Sequence, residues 1–214
     1  MKFERTTVHN IEGAIYDMRM PFLSHDKSDS YTDEDGNYII GRADMKLAKK
    51  LIKGGGEHSK FLRSIYIDTI ITAPQYWIAE QDTYKIATVR NSSSLMHLGT
   101  SRDFTLDDFT IDDDKDNLLK IIDVLNEYRR KYIETQDYKY FRILRQLMPM
   151  GYNYTYSWST SYSQLRNIYQ QRVKHPHRLK EWTEDFAQWV ESLPYAKELI
   201  IGEDNNGIES EKDA

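Results

Sequence analysis

The chain has 214 residues, no cysteine and a formal net charge of −5, with 39% hydrophobic and 13% aromatic residues and 16 tyrosines. That length suits one large domain, and the apolar content suffices for a core rich in polar-tipped rings. Zero cysteine excludes disulfides, thiolate–zinc sites, iron–sulfur clusters and cysteine nucleophiles, and the acidic balance argues against general nucleic-acid binding, which draws on Lys and Arg.

The start, Met1-Lys-Phe-Glu-Arg5, is charged and leads into no apolar run, so no signal peptide is expected. No segment approaches the roughly eighteen apolar residues of a membrane span, and a cytoplasmic protein without membrane attachment is the expectation. Lys2–Ile11 reads as an opening strand with poor alternation. Ser24–Asn37 is polar and rich in turn formers, a surface loop or hairpin tip. Within it, Asp33-Glu-Asp35-Gly-Asn37 begins like a calcium loop, but its glycine comes fourth and not sixth, so a hairpin turn is expected. Asp44 is a suitable N-cap for a short helix over Met45–Lys53, with Leu47, Ala48, Leu51 and Ile52 on one face. Gly54-Gly55-Gly56 ends it; one glycine serves as a left-handed cap, and the others would let a backbone approach a ligand.

Ile65–Ala73 is a β-branched apolar run, expected as a buried strand that Pro74 breaks, followed by one or two helical turns over Gln75–Gln81. Val89–His97 has the small polar character of a phosphate loop or of a serine-rich turn. Thr100–Asp116 is Asp-rich and reads as a solvated loop. In the helix predicted over Asp114–Ile133, Leu118, Ile121, Ile122, Leu125, Tyr128 and Tyr132 share a face; a second helix over Tyr138–Met148 stops at Pro149. Tyr152, Tyr154, Tyr156 and Trp158 alternate with small polar residues, a strand whose rings are either core or a stacking platform.

Leu165, Ile168 and Tyr169 mark the apolar stripe of a helix over Ser163–Val173, and Arg172 returns to about 340° on that wheel, inside the stripe. A guanidinium keeps its proton, so turned inward it needs a buried carboxylate, a route to solvent, or an anionic ligand. His175-Pro-His177 has no accompanying carboxylate pattern, so no metal site is expected there. Arg178–Leu193 is predicted helical, with Leu179, Trp182, Phe186, Trp189, Val190 and Leu193 on one side. Residues 203–214 form an acidic tail, expected to be disordered. Helices separated by a few strands give an α/β or α+β domain.

One stretch carries a family resemblance. Arg145-Gln-Leu-Met-Pro149, the aromatic run Tyr152–Ser159 with Trp158, then Asn167 and Arg172 match, without a gap over 28 residues, the C-terminal pattern of the flavin-dependent thymidylate synthases. Glu57-His58 resembles that family's Glu-His pair, placed just before a strand. The family signature Arg-His-Arg-x-x-Ser, followed by Asn-Glu-x-Ser-x-Arg-Tyr, is only partly kept over Thr83–Met96. Lys85 keeps a positive charge, Thr88 a hydroxyl and Ser93 the serine, while the first Arg, the His, the Glu and the final Arg-Tyr are absent. With Met18-Arg-Met-Pro21, Ser24–Ser30 and Leu193-Pro-Tyr195, the chain is similar to a divergent branch common in phages and gut Firmicutes.

The resemblance implies one domain over residues 1–202, with a small central, mostly antiparallel sheet flanked by helices, assembled as a homotetramer with shared active sites. It implies conversion of dUMP to dTMP with methylenetetrahydrofolate, NADPH and FAD. Arg172 would hold and polarise the pyrimidine, Arg145 and Ser93 would bind the nucleotide, and His58, Lys85, Thr88 and Asn167 would lie toward the flavin. Flavin and nucleotide phosphates need cationic and hydroxyl donors, and Arg90 joins these residues as a candidate for the nucleotide. Zero cysteine is compatible with this route, since a reduced flavin can deliver hydride where folate-only synthases use a cysteine nucleophile. The alternative is a catalytically degenerate relative that binds a nucleotide or a protein partner.

Overall fold

The computed structural model describes residues 1–173 and 179–202, and the side chains of these apart from residues 96–98. His175-Pro-His177, the predicted helix start at Arg178 and the acidic residues 203–214 lie outside the described residues. In chain order come β1 (Lys2–His9), α1 (Ile11–Asp17), β2 (Tyr31–Thr32), β3 (Tyr38–Ile39), α2 (Arg42–Lys53), β4 (Tyr66–Pro74) and α3 (Gln75–Gln81). Then follow β5 (Val89–Ser92), α4 (Leu95–Ser101), α5 (Lys115–Thr135), α6 (Tyr138–Leu147), β6 (Asn153–Ser161), α7 (Tyr162–Ile168) and α8 (Ala187–Glu191). A π-helical turn at Tyr169–Val173 prolongs α7, another at Trp182–Phe186 leads into α8, and a third spans Lys197–Ile201.

Four strands form a sheet in the order β1-β4-β6-β5. β5 runs antiparallel to β6, with Val89 opposite Ser159 and Ser92 opposite Tyr156. The Ser159 hydroxyl donates to Asp68, and the hydroxyls of Thr72 and Thr155 meet at 2.9 Å. Numbers rising on β4 while they fall on β6 make that pair antiparallel too. Mixed helices and an antiparallel sheet are therefore the observed class, as expected. Period-two burial holds on both central strands, with Thr69, Ile71 and Ala73 buried on β4 and Tyr156 and Trp158 on β6.

The chain forms two compact units, Met1–Thr6 with Asp68–Ser159, and Thr7–Ile67 with the chain from Thr160 onward. In the first, Asp137 accepts from the Lys139 amide at 3.0 Å, capping α6, which follows α5 after two intervening residues. Leu118, Ile122 and Leu125 of α5 and Leu144 of α6 pack on Phe104, Phe109 and Tyr152. Both phenylalanines meet Tyr152 edge-on, at 5.8 and 5.5 Å between centroids. The Asp-rich stretch is thus more than a solvated loop: its two rings are core, and Asn126 brackets Phe104 with bonds to its N–H and C=O at 2.8 and 3.0 Å. Ile121, expected on the buried face, is 41% exposed, because that face turns instead toward Asn126 and Arg129. Val89–His97 is not a loop or turn in conformation: it is the edge strand β5 running into α4.

In the second unit Asp44 does not cap α2. The helix begins earlier, at Arg42, and its first amides are met by Asp29, which accepts from the N–H of Ala43 at 2.8 Å and of Asp44 at 3.1 Å. Asp44 is 0% exposed and accepts from Arg19 Nε and from the hydroxyls of Ser28 and Ser30, each at 2.6 Å. A carboxylate is stable inside a protein when its lone pairs are filled this way, and a buried guanidinium outbids a helix terminus as a partner. The hairpin turn expected at Asp33–Asn37 forms: Gly36 takes φ +83°, and Asp33 accepts from the Asn37 amide at 2.7 Å.

Candidate functional site

Five of the residues singled out in the sequence belong to the first unit. Pro74 ends β4, α3 buries Trp77, Ile78 and Gln81, and the segment after it returns along β5. Two clefts flank Arg90. One, of 330 Å³, is lined by Gln81, Asp82, Lys85, Thr88, Arg90 and Trp158; the other, of 310 Å³, by Ile78, Asp82, Arg90, Ser92 and Tyr154 among others. Lys85, Thr88 and Arg90 are therefore brought together. Arg90 donates to Asp82 at 2.6 Å and lies 5.3 Å above the Tyr156 ring. The Thr88 hydroxyl donates to the Tyr84 carbonyl at 3.0 Å. Lys85 is exposed and makes no ion pair among the described residues.

Arg145, in the last turn of α6, is likewise exposed and unpaired among the described residues, and its charge is felt at Tyr154. Burial pushes the Tyr154 hydroxyl up, and Arg145 opposes that shift. Ser93 donates its amide to the Thr155 carbonyl at 2.8 Å, prolonging the β5–β6 ladder; its neighbour Ser92 lines the second cleft.

Beneath the first cleft lies a group the sequence did not flag. Gln81 is 3% exposed; its Oε1 accepts from the Tyr156 hydroxyl at 2.5 Å, and its Nε2 has no partner. Burial pushes the Tyr156 phenol far above its ordinary range, so the hydroxyl stays a donor. Gln81 follows Ile78 at helical spacing and so reads as one more core position; nothing local in the sequence marks it.

His58, Asn167 and Arg172 belong to the second unit. His58 is exposed and rests on Gly54, where a Cβ would come within 3.0 Å of its ring. It lines an open cleft of 1010 Å³ with Met18, Pro21, Leu47 and Phe61. Asn167 is exposed and accepts from Gln171 Nε2 at 2.8 Å. Arg172 is half-buried, its guanidinium 5.8 Å over the Trp182 ring. It sits in the π turn at Tyr169–Val173, where an aromatic face meets the arginine.

Among the described residues no cluster of three His, Asp or Glu could hold a metal ion, and no helix is long and apolar enough to cross a membrane.

No family model and no curated protein matches the chain. Solved structures do. The flavin-dependent thymidylate synthase ThyX of Helicobacter pylori, complexed with FAD and dUMP, is similar over 91% of this chain and 94% of its own, at 16% identity and a TM-score of 0.70. The UMP/dUMP methylase PolB of Streptomyces cacaoi, bound with 5-bromo-dUMP, is similar over 87% of this chain and 88% of its own, at 12% identity and a TM-score of 0.63. At such identities the likeness is one of fold.

Proposed function

We propose that the protein is a cytoplasmic, homotetrameric flavin-dependent thymidylate synthase of the phage and Firmicutes type, converting dUMP to dTMP with methylenetetrahydrofolate, FAD and NADPH. The observation that carries this reading is Lys85, exposed and without an ion pair among the described residues, lining one of two mononucleotide-sized clefts on a fold shared with dUMP-bound proteins. Clefts of 330 and 310 Å³ lie at the small end of the roughly 300–1,000 Å³ of ligand sites. An unbalanced ammonium or guanidinium at such a mouth is suited to a phosphate.

The residues suit FAD as well. The Lys85 ammonium, unpaired among the described residues, and the unpartnered amide of Gln81 line one cleft, two donors for a phosphorylated ring rich in acceptors, while the Thr88 hydroxyl, its proton given to Tyr84, offers lone pairs. Lys85 and Thr88, with His58 and Asn167, would hold the cofactor, which when bound and reduced by NADPH supplies hydride. Arg145, Arg90 and Ser93 would anchor the nucleotide, and Arg172 would hold the pyrimidine and draw charge toward its carbonyl. Anaerobic titration with FAD, with and without dUMP, tests the reading. Flavin fluorescence quenching that tightens with dUMP, and FAD- and NADPH-dependent tritium release from labelled dUMP, are expected. Protein that leaves the flavin spectrum unchanged sinks it.

One observation favours a second reading, a relative that binds nucleotide without methyl transfer. Asp82 already neutralises Arg90, and the Arg-His-Arg residues are missing. This reading expects dUMP binding with no tritium release.

A further inference from the structure

We propose that the buried amide of Gln81 is a ligand-reading group: its Nε2–H donates to a ring carbonyl of a phosphorylated ligand whose phosphate lies at Lys85. The inference deepens the functional reading above and rests on it, since the nucleotide and the cofactor proposed there each carry both features.

Four observations converge on this group. Gln81 is 97% shielded, so an unused donor there is costly unless something arrives to meet it. Its orientation is fixed by Tyr156, whose hydroxyl lies 2.5 Å from Oε1. That separation suits O–H···O; a flipped amide would place an N–H donor there, and N–H···O bonds run longer, at about 2.9–3.0 Å. Nε2 is therefore left as an unfilled donor on a residue that lines the cleft, and only an acceptor satisfies it. At the same cleft stands Lys85, which has no counter-ion among the described residues, while Arg90 is engaged with Asp82. An unfilled donor, a cation and the Trp158 side chain lining one cleft describe a site for a planar ring joined to a phosphate.

Two ligands share that chemistry, the uracil nucleotide and the flavin mononucleotide half of FAD. Adenine offers no carbonyl, so AMP reports the Lys85 contribution alone. The test measures equilibrium binding of dUMP, FMN and AMP to the full chain, to Gln81→Leu and to Tyr156→Phe. Gln81→Leu is expected to lose about tenfold or more in affinity for whichever carbonyl ligand uses the cleft, with AMP binding unchanged. Loss confined to dUMP identifies the nucleotide as occupant; loss confined to FMN identifies the cofactor. Tyr156→Phe frees the amide to turn and is expected to show a smaller loss in the same ligand, which keeps the proposal decidable if Gln81→Leu does not fold. Equal affinities in wild type and both variants overturn the role of Gln81 and leave the functional reading standing. Wild-type protein that binds neither dUMP nor FMN overturns both.

Discussion

Asp82 Oδ1 lies 2.6 Å from the guanidinium of Arg90, so the one arginine common to both clefts brings its own counter-ion. Both side chains are partly exposed, which limits such a pair to about 0–1 kcal/mol. Asp82→Asn should therefore free Arg90 for an incoming phosphate at modest stability cost. Calorimetric titration is expected to show dUMP binding about two- to fivefold tighter in the variant at low salt, with the gain fading as salt screens it. Weaker binding in the variant would mean that Asp82 positions Arg90 and does not compete for it.

Lys85 and Arg145 have no partner to lose among the described residues, so removing either charge should act on binding and spare the fold. Lys85→Met is expected to weaken FAD by about ten- to a hundredfold, the worth of one charge-assisted hydrogen bond. Arg145→Met should do the same to dUMP, with thermal midpoints within a degree or two of wild type. A large drop in thermal midpoint in either variant would reveal a structural tie.

The readable parts of the sequence were those that repeat. Ile65–Ala73 is a β-branched apolar run, Tyr152–Trp158 alternates with period two, and the helices over 115–135 and 138–147 carry apolar stripes, so each was placed within a residue or two. Errors fell where a distant partner decided. Asp44 looks like a cap until Arg19 and Ser28 arrive from another part of the chain, and Asp29 takes over the helix end. The π turn that carries Arg172 is likewise an irregularity that no composition signals. In the candidate site, Lys85 and Thr88 were singled out through the family resemblance and Arg90 as a donor suited to phosphate, and the three line one cleft. Gln81 was missed because a polar residue on a short helix gains meaning only when its burial and its Tyr156 bond are known.

Asp44 is the predicted weak point of the second unit. Burial pushes its carboxyl up, but the bonds from Ser28, Ser30 and Arg19 together outweigh that and hold it below the ordinary 3.8. A depressed folded-state pKa stabilises the fold above the unfolded value, and that contribution disappears as pH falls through the folded one, so acid sensitivity should appear below 3.8. Asp44→Ala leaves Arg19 buried beside an empty site and should cost about 3–5 kcal/mol in urea unfolding, with the acid-sensitive step below pH 3.8 reduced. A loss under about 1 kcal/mol would show that the carbonyls of Ser24 and Lys27, which Arg19 also reaches, suffice to hold it.

At the other end of the pH scale the buried phenols decide. Burial pushes Tyr152 up to about 12 and raises Tyr156 and Tyr162 further, against about 10 in an unfolded chain. For a group whose folded pKa is raised, the stabilising contribution is whole below the unfolded value and is lost as pH climbs toward the folded one. Each of these tyrosines should thus remove up to about 1.4 kcal/mol per pH unit above pH 10, because the unfolded chain ionises where the native chain does not. Phenolate absorbance is expected to rise in two stages: exposed tyrosines first, then the buried set together with loss of circular dichroism. Replacing Tyr162, whose hydroxyl donates to the Pro194 carbonyl at 2.9 Å, by Phe should make the alkaline fall in stability shallower by one proton. If all 16 tyrosines titrate in a single step near pH 10 while the fold stays intact, the rings at 152, 156 and 162 are open to water and the packing described for them is wrong.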